Sequence, residues 1–385
     1  MRVLSLLLLS LAVSDAFWMN TLANQVAALI KKLELPAVNK VIDDAVKEQL
    51  AANALIKRQP LVVRKTASGA QTYRILQVPD LHYTNWDYFP CMNKPDDMKQ
   101  LCFEKYMTEM LTKMVDDTKP DFVAFTGDQI ESLWVQKTWK QSLAAIDTAT
   151  SVVNERGLPW AMVFGNHDES LIPHLFSNRK VMMAYIESLP HSYAKYGPFN
   201  IGGAGNYEVS IQDASAAAAI RLYFVDTNRD GSVTPAQVKL IKDLGVSHKG
   251  DNVPALSFFH IPLPEYKDFK PTNETQGTKR EDVASNDHND GLFDAFVANG
   301  DVKATFCGHN HLNDFCFKRD SIHLCYGGGV GYGAAYNKGN HPRTGRVIEW
   351  NRNATDESIE TWLYLHNKDN TRASKYSVFH RTLQL

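Results

Sequence analysis

Five short segments place side chains suited to metal binding directly after apolar runs. They are Asp80-Leu81-His82; Gly127-Asp128; Gly165-Asn166-His167-Asp168; His260, behind Leu256-Ser257-Phe258-Phe259; and Gly308-His309-Asn310-His311. Carboxylate, imidazole and amide oxygen together suit hard to borderline divalent or trivalent ions. Asp80 and His82 stand two residues apart, so on an extended segment both can point the same way. His309 and His311 can do likewise. The adjacent glycines permit tight turns and a close approach of backbone to ligand. Each block alone has an ordinary reading. An aspartate after a strand forms turns or caps helices, and a histidine beside aromatic residues often sits in a core. Five blocks together point to a metal centre.

The elements that must position these blocks are short apolar strands alternating with helices. The pattern predicts strands at 73–78, 122–125, 160–164, 206–211, 220–225, 255–259, 303–307, 322–326, 345–350 and 360–365. It predicts helices over about 97–117, 136–154, 234–243 and 289–299. Such alternation gives a layered α/β fold, in which sites form at the carboxyl ends of strands. Residues 21 to about 58 carry helical periodicity divided at Pro36. We read 17–69 as a helical accessory segment, with a propeptide as the alternative, and 70–385 as one catalytic domain. Residues 265–290 are polar and rich in breakers, which predicts a long surface loop.

The chain opens with one arginine and an apolar run, Val3 to Val13, followed by small residues at Ser14 and Ala16. That run is short for a bilayer span and fits a secretory signal peptide over 1–16. No other stretch reaches transmembrane length without charges. The expected location is outside the cell or in the lumen of the secretory or lysosomal pathway. Asn273-Glu274-Thr275 and Asn353-Ala354-Thr355 are glycosylation sequons in keeping with that route. In an oxidising compartment the natural disulfide pairs by proximity are Cys91 with Cys102 and Cys316 with Cys325, although connectivity cannot be deduced. Cys307 is left as a buried thiol. With 41 Lys and Arg against 43 Asp and Glu, the charge balance gives no support to a basic nucleic-acid binder.

The order DxH, GD, GNH(D/E), H and GHxH resembles that of the calcineurin-like metallophosphoesterase superfamily. Phe258 to Glu265, Asn313-Asp314-Phe315-Cys316, Ile322 to Tyr332 and His341 to Val347 look closer still to the small, DxH-containing purple acid phosphatase-like branch of plants and fungi. The resemblance spans about residues 70–350. It implies an α-β-β-α sandwich of two mixed sheets flanked by helices. It assigns Asp80, His82, Asp128 and His311 to one metal, and Asp128, Asn166, His260 and His309 to the other, with Asp128 bridging. It makes His167 the residue that reaches the substrate, and Asp168 its partner or a support for a neighbouring ligand. One departure stands out. The classical purple enzymes carry a tyrosine ligand shortly after the GD aspartate, whereas here Gln129-Ile130-Glu131-Ser132 follows Asp128. His82 would take over that role. The protein should therefore not be purple, and the metals could be Zn, Fe or Mn.

The function implied is a secreted dinuclear metal-dependent phosphatase acting on a small phosphomonoester by attack of a metal-activated hydroxide. The alternatives are a phosphodiesterase for nucleotides, cyclic nucleotides or phospholipid headgroups, and a non-catalytic secreted binding protein. Less sharply drawn are Asp226 at a strand end, Glu281 and Asp282 in the long loop, and Tyr332 after a glycine-rich segment. Trp86, Tyr88 and Phe89 could stack on an aromatic leaving group, and His323 reads as structural.

Overall fold

The computed structural model describes residues 36–383 apart from 97, 174–175, 339 and 367–371. The signal peptide and the first predicted helix lie outside the described residues. Two sheets form the middle of the molecule. The first runs β14(Tyr376–Thr382), β13(Asp356–His366), β12(Arg343–Arg352), β3(Gln71–Val78), β4(Phe122–Thr126), β5(Trp160–Val163), with β2(Arg64–Lys65) also paired to β3. The second runs β1(Leu61–Val62), β6(Tyr207–Gln212), β7(Ala218–Phe224), β8(Ala255–Phe258), β9(Val302–Cys307), β11(Ile322–Tyr326), β10(Cys316–Arg319). Both sheets are mixed: β3, β4 and β5 are parallel, as are β7, β8, β9 and β11, while the outer pairs are mostly antiparallel. Helices cover the outer faces, so the fold is the expected α-β-β-α sandwich.

The central parallel strands are almost entirely buried, because both faces of each sheet are covered. Phe224, Phe258 and Phe306 stack across β7, β8 and β9, with ring centroids 5.2 and 5.4 Å apart. Phe122 of the opposite sheet meets Phe224 at 6.5 Å, closing the core between the sheets. Outside the first sheet lie α1(Pro36–Asn53), α2(Tyr106–Thr118), α3(Trp139–Glu155) and α4(Arg179–Ser188). The second sheet is covered by α5(Pro235–Ser247) and α6(Leu292–Asn299). Thr138 starts α3 and Thr234 starts α5, each with a glutamine three residues on that completes a capping box.

The helix expected from residue 97 begins only at Tyr106. Competing long-range bonds hold the preceding segment open. Cys102 is disulfide-bonded to Cys91, and the buried Glu104 carboxylate accepts the backbone N–H groups of Thr84, Asn85 and Trp86. The second disulfide joins Cys316 and Cys325, which face each other in the β10–β11 hairpin. Cys307 is a buried free thiol. The described part of the amino-terminal segment packs on this domain: α1 rests on α4, and β1 and β2 enter both sheets.

Candidate metal centre

Five loops leave the carboxyl ends of β3, β4, β5, β8 and β9, and the two sheets bring these ends together. Asp80 and Asp128 are almost fully buried, as are His82, His260 and His311. Asn166, His167 and His309 are half-buried. Four of the seven predicted ligands adopt a left-handed backbone: Asp80 at φ 57°, His82 at 54°, Asp128 at 53° and His309 at 75°. Such conformations cost about 1–3 kcal/mol each in a non-glycine residue. The surrounding hydrogen bonds hold them. Asp80 N–H donates to Gly127 O (3.0 Å), His82 N–H to Asp128 O (2.8 Å), and His309 N–H to both Asp80 oxygens (3.0 and 3.1 Å). The glycines before the ligands answer to crowding. A Cβ on Gly165 would collide with the Asp128 carboxylate, and one on Gly127 with the His260 ring.

The imidazole tautomers follow from their partners. His260 Nδ1 faces the carbonyl of Thr126 at 2.9 Å, and His311 Nδ1 faces that of Tyr336 at 2.8 Å. His82 Nδ1 faces Glu131 Oε2 at 3.0 Å. These oxygens only accept, so all three Nδ1 atoms carry the proton and all three Nε2 atoms present lone pairs. The lone pairs converge. His82 Nε2 lies 3.2 Å from His311 Nε2, and His260 Nε2 lies 3.1 Å from Asp128 Oδ2 and 3.2 Å from Asn166 Oδ1. His309 Nδ1 is 3.3 Å from His260 Nε2. Among the described residues no Lys or Arg pairs with Asp80 or Asp128. Acceptors facing acceptors, with buried carboxylates, call for cations. Ligand atoms about 2.1 Å from one metal lie about 3.0–3.4 Å from each other, which these separations match. Three overlapping groups of potential ligands result: Asp80, His82 and His311; His82, Asp128 and His167; Asp128, His260 and His309. Asp128 shares one of them with His82, whose Nε2 lies 3.6 Å from Asp128 Oδ2, and another with His260 and His309.

The electrostatics separate the histidines. In the metal-free chain burial pulls His260 toward its neutral form, but Asp128 outweighs it and holds the pKa up at about 9, so a cation bound at Nε2 would take the place of that second proton. Burial, then the neighbouring His260, pushes His309 down to about 3. His167 is raised to about 9 because Glu131 and Asp128 overcome the burial penalty.

Glu131 is the residue that sequence reasoning passed over. It is buried, and its Oε2 accepts from both His82 Nδ1 (3.0 Å) and His167 Nδ1 (2.8 Å). Its Oε1 accepts from the backbone of Leu133 (3.1 Å) and Trp134 (2.8 Å). The usable signal was its position three residues beyond Asp128. Asp168, expected to support His167 or a neighbouring ligand, accepts from the backbone N–H groups of Asp128 (2.8 Å), Ile130 (2.9 Å) and Gly165 (2.7 Å). It therefore shapes the Asp128 turn. Asp226 is buried against Arg179, at 2.6 and 2.8 Å. Tyr332 lies beneath the Arg343 guanidinium. His323 bonds Tyr376. Trp86 and Tyr88 are exposed, and Trp134 stands with its ring centroid 6.2 Å from that of His167.

Residues 73–313 match the calcineurin-like phosphoesterase family. The chain belongs to that family. It is a metallophosphoesterase, with the clustered donor groups that the fold uses. It is 31% identical to "Probable inactive purple acid phosphatase 29" of Arabidopsis thaliana, over 77% of this chain and 83% of the relative. It is 31% identical to "Phosphatase DCR2" of Saccharomyces cerevisiae, over 76% of this chain and 54% of the relative. In fold it resembles a dimetal phosphatase from Danio rerio, with a TM-score of 0.50 and 11% identity over 80% of this chain and 98% of that one.

Proposed function

We propose that the protein is a dinuclear metal-dependent phosphatase for small phosphomonoesters. Asp80, His82, Asp128 and His311 would hold one metal, and Asp128, Asn166, His260 and His309 the other. The observation that carries this reading is the convergence of three Nε2 lone pairs whose Nδ1 protons are already committed. Two cations held there would supply positive charge for the phosphoryl oxygens and would lower the pKa of a water nucleophile. Zn, Fe and Mn all suit the mixture of imidazole, carboxylate and amide.

His167 is the acid. Glu131 holds its Nδ1, so Nε2–H is the proton that the imidazolium form would offer to the leaving oxygen. The positive charge of that form would also favour a dianionic monoester over a monoanionic diester. The word "phosphatase" in both relatives' names supports the same choice. The plant relative's name also includes "inactive". Here every expected ligand type is present, which supports turnover rather than a binding role. Secretion is supported by the apolar leader, the two disulfides, and the exposure of both sequon asparagines, Asn273 and Asn353. No helix among the described residues is long and apolar enough to cross a membrane.

The test compares p-nitrophenyl phosphate with bis(p-nitrophenyl) phosphate, using protein that keeps its native metals. A higher kcat/KM on the monoester is expected. A much higher value on the diester would replace this reading with the phosphodiesterase one.

A further inference from the structure

We infer that Tyr336, secured by Glu281 from the long loop, is the positioning residue that fixes His311 for metal binding. The inference rests on the reading of His311 as a ligand. Tyr336 engages that histidine in three independent ways. Its backbone carbonyl accepts the Nδ1 proton at 2.8 Å, which commits the tautomer. Its ring stacks on the imidazole, with centroids 3.9 Å apart and planes 11° from parallel, which fixes the ring's rotation. Its hydroxyl accepts the His311 backbone N–H at 3.1 Å, which fixes the main chain.

The tyrosine is itself held. Its hydroxyl proton goes to the Glu281 carboxylate, whose oxygens lie 2.9 and 3.0 Å away. Glu281 Oε1 also accepts the N–H of Leu312, the residue after His311, at 2.8 Å. Arg343 donates to the Tyr336 carbonyl at 3.1 Å, and Asn337 N–H donates to Asn93 Oδ1 at 2.8 Å in the loop closed by Cys91 and Cys102. A free imidazole could rotate about its side-chain bonds and present either nitrogen. Here carbonyl, ring and hydroxyl leave one orientation, with Nε2 toward Asp80 (3.4 Å) and His82 (3.2 Å). Residues 265–290 thus contribute to the metal site through Glu281.

The experiment compares wild type with Tyr336→Phe, Tyr336→Leu and Glu281→Gln. Metal retained after dialysis against graded chelator is read by elemental analysis, and melting is recorded for the metal-free forms. Tyr336→Phe keeps the stack and the carbonyl, and should weaken retention of one of the two metals by about tenfold. Tyr336→Leu should weaken it by about a hundredfold, and Glu281→Gln should resemble Tyr336→Phe. Metal-free melting temperatures close to wild type are expected. Full retention of both metals in Tyr336→Leu overturns the inference, as does an equal loss of both metals accompanied by a large drop in metal-free melting. A wild type that binds no metal overturns the ligand reading itself, and this inference with it.

Discussion

Replacing Glu131 by glutamine changes one atom and tests the logic of the site. The carboxylate accepts four hydrogen bonds, two at each oxygen: the His82 and His167 Nδ1 protons on Oε2, and two backbone N–H groups on Oε1. Glutamine must turn its NH₂ toward one of these pairs, where donor meets donor. Two hydrogen bonds to a charged acceptor are lost, at about 1.5–3 kcal/mol each. Relief of the buried charge offsets part of this, leaving a net destabilisation of about 3 kcal/mol. The effect on the site is sharper. If the NH₂ faces the histidines, His82 must accept at Nδ1 and move its proton to Nε2, which can then bind no metal. If it faces the backbone, the Leu133–Trp134 turn beside His167 loosens. Glu131→Gln should lose metal affinity by about 10–100-fold, melt lower, and turn over p-nitrophenyl phosphate at a small fraction of the wild-type rate. Elemental analysis, melting and steady-state kinetics read the three effects. A variant that keeps both metals and the wild-type kcat would refute the tautomer argument.

Three further outcomes are expected. Gly165→Ala should cost most of the bound metal, because its methyl would clash with the Asp128 carboxylate; unchanged metal content would count against the crowding argument. Trp134→Ala should lower kcat/KM for phenyl phosphate by about tenfold and leave ethyl phosphate nearly unchanged, since the half-exposed indole stands beside His167. Equal losses on both esters would remove its role in leaving-group recognition. Burial, then Lys318 across the hairpin, holds the His323 pKa down at about 4, against 6.5 for the solvent-exposed group. The unfolded chain takes up this proton below pH 6.5 and the folded chain only near 4. The stability is therefore complete above 6.5 and falls by at most about 3 kcal/mol as the pH drops toward 4. His323→Gln should flatten the melting temperature over that range, and a parallel profile would contradict the assignment.

The parts of this protein that could be read from its sequence are those where local pattern and chemistry coincide. A mostly apolar run followed within three residues by Asp, Asn or His marks a buried parallel strand delivering a candidate ligand, and β3, β4, β5, β8 and β9 all carry that mark. Position in three dimensions was harder wherever a distant partner decided it. Residues 97–105 have helical periodicity, yet Cys91 and the amides that Glu104 collects draw residues 98–105 out of a helix. The helix Arg179–Ser188 begins where the Asn178 side chain caps two amides, after a polar stretch that gave little warning. Strand Tyr376–Thr382 is an edge strand with an irregular burial pattern, so no alternation announces it. Tyr336 lies 25 residues from His311 in a segment rich in Gly and Asn, and its role arises only when the loops close.

The central claim is that Asp128 joins two cations within one histidine-rich cluster. Anomalous diffraction from crystals of natively purified protein, with elemental analysis of the same sample, tests it most directly. The account predicts two ions about 3.5–4 Å apart, sharing Asp128, with Asp80, His82 and His311 on one and Asn166, His260 and His309 on the other. A single ion, or ions that leave Asp128 uncoordinated, would contradict it.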